Sequence, residues 1–181
     1  MLRPARAPVY DFWVLRMMGL EITDEFVVVR EKPLILKLRS LGAGVEETEE
    51  TRITLLEAAY FADRGVLPLK KDELVSRASR KDKLSHEKYS VIKYLRDRGY
   101  IVRPSLDGTP YLRLHRKGFR PGEDRTFCLM EVVRKDWQCE PQKLLESLEL
   151  AGRLRKELVI AVVDQAQEKP LFLKFGRMNF E

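Results

Sequence analysis

One feature of this sequence could do chemistry, the cations between Arg113 and Arg125, since a lysine or arginine can hold a phosphate. Arg113, Arg116, Lys117, Arg120 and Arg125 face only Glu123 and Asp124. Such a cluster, in a turn between strands, is where a phosphate backbone can rest. Other chemistries lack their residues. There is no phosphate-cradling glycine loop, nucleophile elbow or paired-carboxylate metal motif. Gly42 and Gly44 precede acids rather than Lys-Ser or Lys-Thr, so 41–45 reads as an ordinary turn. The chain has only two histidines, and its two cysteines, Cys128 and Cys139, lack metal spacing. A structural zinc site needs about four closely spaced ligands, so neither metal nor cofactor is expected. The cysteines read as buried free thiols, a disulfide being realistic inside a cell mainly in a hyperthermophile.

The elements that must position these residues follow from the apolar pattern. In the first 40 residues, Val9–Leu15, Phe26–Arg30 and Leu34–Leu38 read as short β-like runs between Gly, Asp and Pro. Thr54 opens a helix with Glu57 three residues on, a capping-box pattern, and Gly65 stands where a C-cap belongs. Asp72–Ala78 fits a second helix. The polar stretch Ser79–Lys83 reads as a join between an N-terminal domain, 1–80, and a C-terminal one, 84–181. Ser85 is placed to cap a third helix with Val91, Ile92 and Leu95 on its buried stripe. Gly99 ends it, and strands are expected at 100–104, 111–115 and 127–133. Pro141 suits the first turn of a long helix. Val159–Val163 reads as a strand buried on both faces, and Leu171–Phe175 as the last strand. The fold class is therefore α/β: a small N-terminal α/β domain, then a C-terminal mixed sheet flanked by helices.

Composition narrows the class. With 34 Lys and Arg against 28 Asp and Glu the net charge is +6, which weakly favours a polyanionic partner. Asn179 is the only asparagine while 34% of residues are charged, the composition reported for hyperthermophiles. No run of about 18 apolar residues occurs, and the first residues lack the layout of a signal peptide. A cytoplasmic protein without a membrane span is expected.

This order of segments resembles the archaeal tRNA-splicing endonuclease family. Ile53–Tyr60 followed by Gly65 is similar to the family's N-domain helix. Tyr94–Arg103 is similar to its YLRxRGYIVK signature, and Arg155-Lys156 with Leu158–Asp164 to its RK-LLxAIVD segment. The resemblance implies a nuclease-like C-terminal domain that cuts precursor tRNA without a metal. A tyrosine activates the ribose 2′-hydroxyl, a histidine protonates the leaving 5′ oxygen and a lysine stabilises the charged phosphorus centre. At the tyrosine position this chain has His115, and at the histidine position Arg125, or Asp124 if the register slips by one. Only the lysine, as Lys156, is retained. His115 could in principle accept a proton, but an arginine does not release one near neutral pH. Where the family holds a bulge base with an arginine, this chain has Glu149, a carboxylate expected to repel RNA. The resemblance thus implies a non-catalytic, structural subunit of a heterotetramer, with a catalytic endonuclease subunit and precursor tRNA as partners. Arg113, Arg116, Lys117 and Arg120 are then the expected RNA contacts. The expected subunit interface comprises Asp164 and Glu168, in a loop that docks into a basic pocket on another subunit, and Leu171, Phe172, Leu173 and Phe175 of the last strand. Two alternatives stay open: a self-sufficient divergent endonuclease with His115 as base, and a nuclease-fold binding module that does not cleave.

Overall fold

The computed structural model describes residues 18–46, 49–105, 109–115, 126–167 and 169–177. It is a mixed α/β structure that divides into two compact units, Met1–Ser85 and His86–Glu181. The run Val9–Leu15 lies outside the described residues.

The N-terminal unit is built on a four-stranded antiparallel sheet of order β1-β2-β4-β3. Its strands are β1 (Leu20–Ile22), β2 (Phe26–Val29), β3 (Val45–Glu46) and β4 (Thr51–Thr54). The run Leu34–Leu38 is not a strand but the middle of helix α1 (Lys32–Ser40). Pro33, in its first turn, fits there because that amide has no helical partner to lose. Ile35 and Leu38, three residues apart, are buried while Leu36 between them is 63% exposed, a helical period that a short apolar run does not reveal by itself. Strands β1, β3 and β4 go beyond the sequence expectation. Gly44, at φ +73, precedes the last two because a Cβ there would stand 2.5 Å from the Thr51 side chain. Helix α2 (Leu55–Asp63) starts with the expected capping box: the Thr54 hydroxyl accepts from the Glu57 amide at 3.3 Å and donates to its carboxylate at 3.2 Å. Helix α3 (Lys71–Ser79) follows.

In the C-terminal unit, helix α4 (Ser85–Arg96) leads into strands β5 (Ile101–Pro104), β6 (Leu112–His115) and β7 (Thr126–Arg134). Helix α5 (Pro141–Arg153) then precedes β8 (Glu157–Val163) and β9 (Leu171–Phe175). Ser85 does not cap α4 with its side chain. It is the first helical residue, and its hydroxyl donates to the Asp82 carbonyl, while the Asp82 carboxylate accepts from the Leu84 amide. Gly99, at φ +81, closes α4: its amide bonds the Arg96 carbonyl and that of Tyr100 the Leu95 carbonyl. The chain therefore turns straight into β5.

The five strands lie in sequence order. All neighbouring pairs are antiparallel except β7–β8, which run parallel with α5 as the crossover. A parallel pair needs such a connection, and its strands carry near-continuous apolar runs. The register puts Leu129, Leu158 and Phe175 on one face, where they meet Leu148 and Ala151 of α5. The other face meets α4, through Arg134 bonded to Glu87 and Phe172 beside Tyr94. Cys128 is buried and its thiol is pushed up to about 12 by desolvation, so it is inert. Cys139, expected to be buried, is exposed just before α5, and both cysteines are free. No helix among the described residues is long and apolar enough to cross a membrane.

Glu131, beside Ile160 in the sheet, has its pKa raised from 4.5, mainly by desolvation, against the smaller attraction of Lys88 and Lys143. A carboxyl group raised on folding favours the fold while protonated, and that benefit is lost as pH rises through its folded value. Glu131→Gln should therefore raise the melting temperature at pH 7 and leave it unchanged below 4.5, the ordinary value. Thermal melts at the two pH values would show equal shifts if this account were wrong.

Candidate functional site

Lys156 is placed by the way α5 ends. The Arg155 amide bonds the Gly152 carbonyl at 3.0 Å, and the Lys156 amide bonds that of Ala151 at 2.8 Å. This is the six-residue closure usually made by glycine, yet the left-handed position is held by Arg155 at φ +53. A side chain there costs about 1–2 kcal/mol, so the surrounding bonds must hold this turn in place. The half-buried Lys156 ammonium then donates to the Thr126 carbonyl at 2.9 Å.

Thr126 also meets His115. Its hydroxyl lies 3.4 Å from His115 Nε2, and His115 is only 4% exposed. The β6–β7 register shifts between Leu114 and His115, so that His115 faces Thr126. Such an irregularity re-aims a side chain at a strand end. Two of the three residues expected at the site, His115 and Lys156, thus share the first residue of β7 as neighbour. The third, Arg125, lies outside the described residues, as do Arg116, Lys117 and Arg120. Arg113 is described, and its guanidinium donates to Ser105 Oγ at 3.2 Å.

Glu149 does not stand as a bare negative charge. Its carboxylate lies 3.3 Å from the Arg177 guanidinium, an exposed pair that offsets part of the repulsion expected of it. In the loop after β8, Asp164 accepts from Lys135 at 2.8 Å and from the Ala166 amide at 3.0 Å. Those bonds, the lysine's first, hold its carboxyl below the usual range. Glu168 lies outside the described residues. Strand β9 is the edge of its sheet, pairing only with β8, and it leaves Leu171 59% and Leu173 38% exposed. Phe172 and Phe175 are turned inward, toward Tyr94 and the α5 core respectively.

Sequence reasoning missed Thr126 and Arg177, because neither lies in a recognisable spacing with the residues it meets. Chemically, the strand ends offer a lysine for electrostatic work and a histidine closed off from solvent. Among the described residues no group of three or more His, Cys, Asp or Glu could hold a metal.

Comparison with known proteins agrees with this layout. Residues 86–171 match the family described as tRNA intron endonuclease, catalytic C-terminal domain. The tRNA-splicing endonuclease of Pyrococcus furiosus is 32% identical over 149 residues, covering 78% of this chain and 85% of that protein. That of Pyrococcus horikoshii is 30% identical with the same coverage. The one from Methanothermobacter thermautotrophicus is 26% identical over 161 residues, 84% of this chain and 94% of that protein.

Proposed function

The chain belongs to the tRNA intron endonuclease family, and from that premise we propose that it is the structural, non-catalytic subunit of an RNA-splicing endonuclease. It works on precursor tRNA beside a catalytic homologue. The observation that carries this reading is the burial of His115 against Thr126. A base must come within hydrogen-bond reach of the hydroxyl it deprotonates, and a residue 4% exposed offers substrate almost no surface. Arg125, at the acid position, holds its proton near neutral pH. Lys156 matches the family's lysine in this reading, but electrostatic help alone does not move the two protons this cleavage requires.

Within this reading the N-terminal domain spans 1–80 and the C-terminal, nuclease-like domain 84–181. Arg113 and the neighbouring Arg116, Lys117 and Arg120 contact RNA phosphates. Partner association uses the exposed edge of β9, since an apolar edge strand left open is an aggregation hazard. Asp164 and Glu168 are secondary in it, because Asp164 is already bonded to Lys135.

The test is cleavage of a bulge-helix-bulge RNA in EDTA, first by the purified chain alone and then after mixing with a catalytic homologue. The expected result is uncut RNA in the first case and restored cutting in the second. Efficient cutting by the chain alone, lost on His115→Ala, would make it a self-sufficient enzyme instead.

A further inference from the structure

The N-terminal unit carries a groove of about 670 Å³ between helix α1 and the turn that enters β4. Lys32, Leu36 and Arg39 come to it from α1, spaced so that they lie on one stripe of the helix. Glu49 and Glu50 come from the turn. Part of the charge here is matched within the chain. Glu50 accepts from Arg30 at 3.2 Å and from Arg52 at 3.1 Å, and Arg30 also bonds Glu21 at 2.8 Å. Two charges of opposite sign are left over. The Lys32 ammonium and the Glu49 carboxylate are exposed, and neither makes an ion pair among the described residues. They line the same groove yet do not pair with each other. Leu36, one turn along α1 from Lys32, is 63% exposed, more than Leu171 or Leu173 on the edge of β9.

One unmatched base, one unmatched acid and an exposed leucine make a patch that is complementary to itself. Under a two-fold rotation the base of one copy meets the acid of the other, twice over, and the apolar residues meet at the axis. A partner of single charge sign would satisfy one of the two charges and face the other with its like. We propose that α1 docks against α1 of a second copy of this chain, with Leu36 against Leu36 and Lys32 of each copy against Glu49 of the other. The contact uses no residue of β9, so it is independent of the association with a catalytic homologue. It is also small. Two exposed ion pairs around one apolar contact suit a transient dimer, with a dissociation constant of about 10–100 µM.

The experiment is sedimentation velocity over a concentration series, with neither RNA nor a catalytic homologue present. Full-length chain carries Leu171→Glu and Leu173→Glu throughout, so that self-association through β9 is blocked. Dimer should accumulate as the concentration rises. Leu36→Glu, added to that chain, should weaken association about tenfold or more, because it sets two carboxylates together at the axis. Lys32→Glu should weaken it about tenfold, since each copy then presents a glutamate to Glu49 of the other. Adding Glu49→Lys to Lys32→Glu restores opposite charges in exchanged places, and affinity should return to within about threefold of the starting chain. A change of net charge alone gives no such return for an exchanged pair. The three positions are exposed, and thermal melts verify that each variant folds. If Leu36→Glu does not fold, the charge exchange still decides. A chain that stays monomeric at about 1 mM overturns the proposal. So does an exchanged pair that associates no better than Lys32→Glu by itself. In a separate titration with a catalytic homologue, loss of that binding in Lys32→Glu with self-association intact would assign the groove to the homologue, and would overturn the proposal as well.

Discussion

Leu171→Glu combined with Leu173→Glu is expected to abolish association with a catalytic homologue while leaving the chain folded. The two leucines sit on the α5-facing side of β9, paired in register with Val162 and Ile160, and remain partly exposed. The strand is held by its ladder to β8 and by inward Phe172 and Phe175, none of which the substitutions touch. The change to the isolated chain is therefore that of exposed positions, within about 0.5 kcal/mol each. At an interface the same positions would bury carboxylates without partners. Two central apolar contacts worth about 2 kcal/mol each convert to roughly a thousandfold in affinity. Size-exclusion chromatography with light scattering reads the outcome directly. A complex of unchanged mass would show that association uses another surface.

Ile160→Ala should have the largest effect on stability. Ile160 is fully buried in β8, with Glu131 on one side of it in the sheet and Leu173 on the other. Truncating an isoleucine in such a site removes transfer energy and leaves a cavity, at a cost of about 2–5 kcal/mol. For a unit of this size that lowers the melting temperature by roughly 10 °C or more. Leu145→Ala on α5 is the comparison, because Leu145 is half exposed and its truncation should cost under about 0.5 kcal/mol. Calorimetry that found the two variants equal would place the core of the unit elsewhere.

Where one local signal sufficed, the sequence was readable. Thr54 with Glu57, Gly99 after α4, Pro141 at the start of the crossover helix and the apolar run of β8 each carry their own physics, and the elements stand where those residues put them. Helix α1 was misread because Leu34, Ile35 and Leu36 are consecutive, and only packing shows that Leu36 points outward. The close of α5 offered no signal at all. The left-handed residue there is Arg155, where the other described helix ends of this kind, at Gly42, Gly65 and Gly99, have glycine. The site was legible only at separate points. His115 and Lys156 could be picked out singly, but their common neighbour Thr126 depends on a register shift in β6–β7, and the Glu149–Arg177 pair joins residues 28 apart. Neither follows from spacing.

The parallel β7–β8 pair sets an order on how the molecule becomes sticky. Strands β5 to β7 form a local meander, whereas β8 can join only after the whole α5 crossover has closed, and loop closure must precede the contacts that reward it. Among the described residues strand β9 pairs only with β8, so its exposed leucines lie on the edge of the five-stranded sheet only once that closure is complete. An unfinished chain has no such edge to offer. Recruitment through β9 would thereby admit finished chains and pass over incomplete ones, a form of quality control that comes from strand order alone.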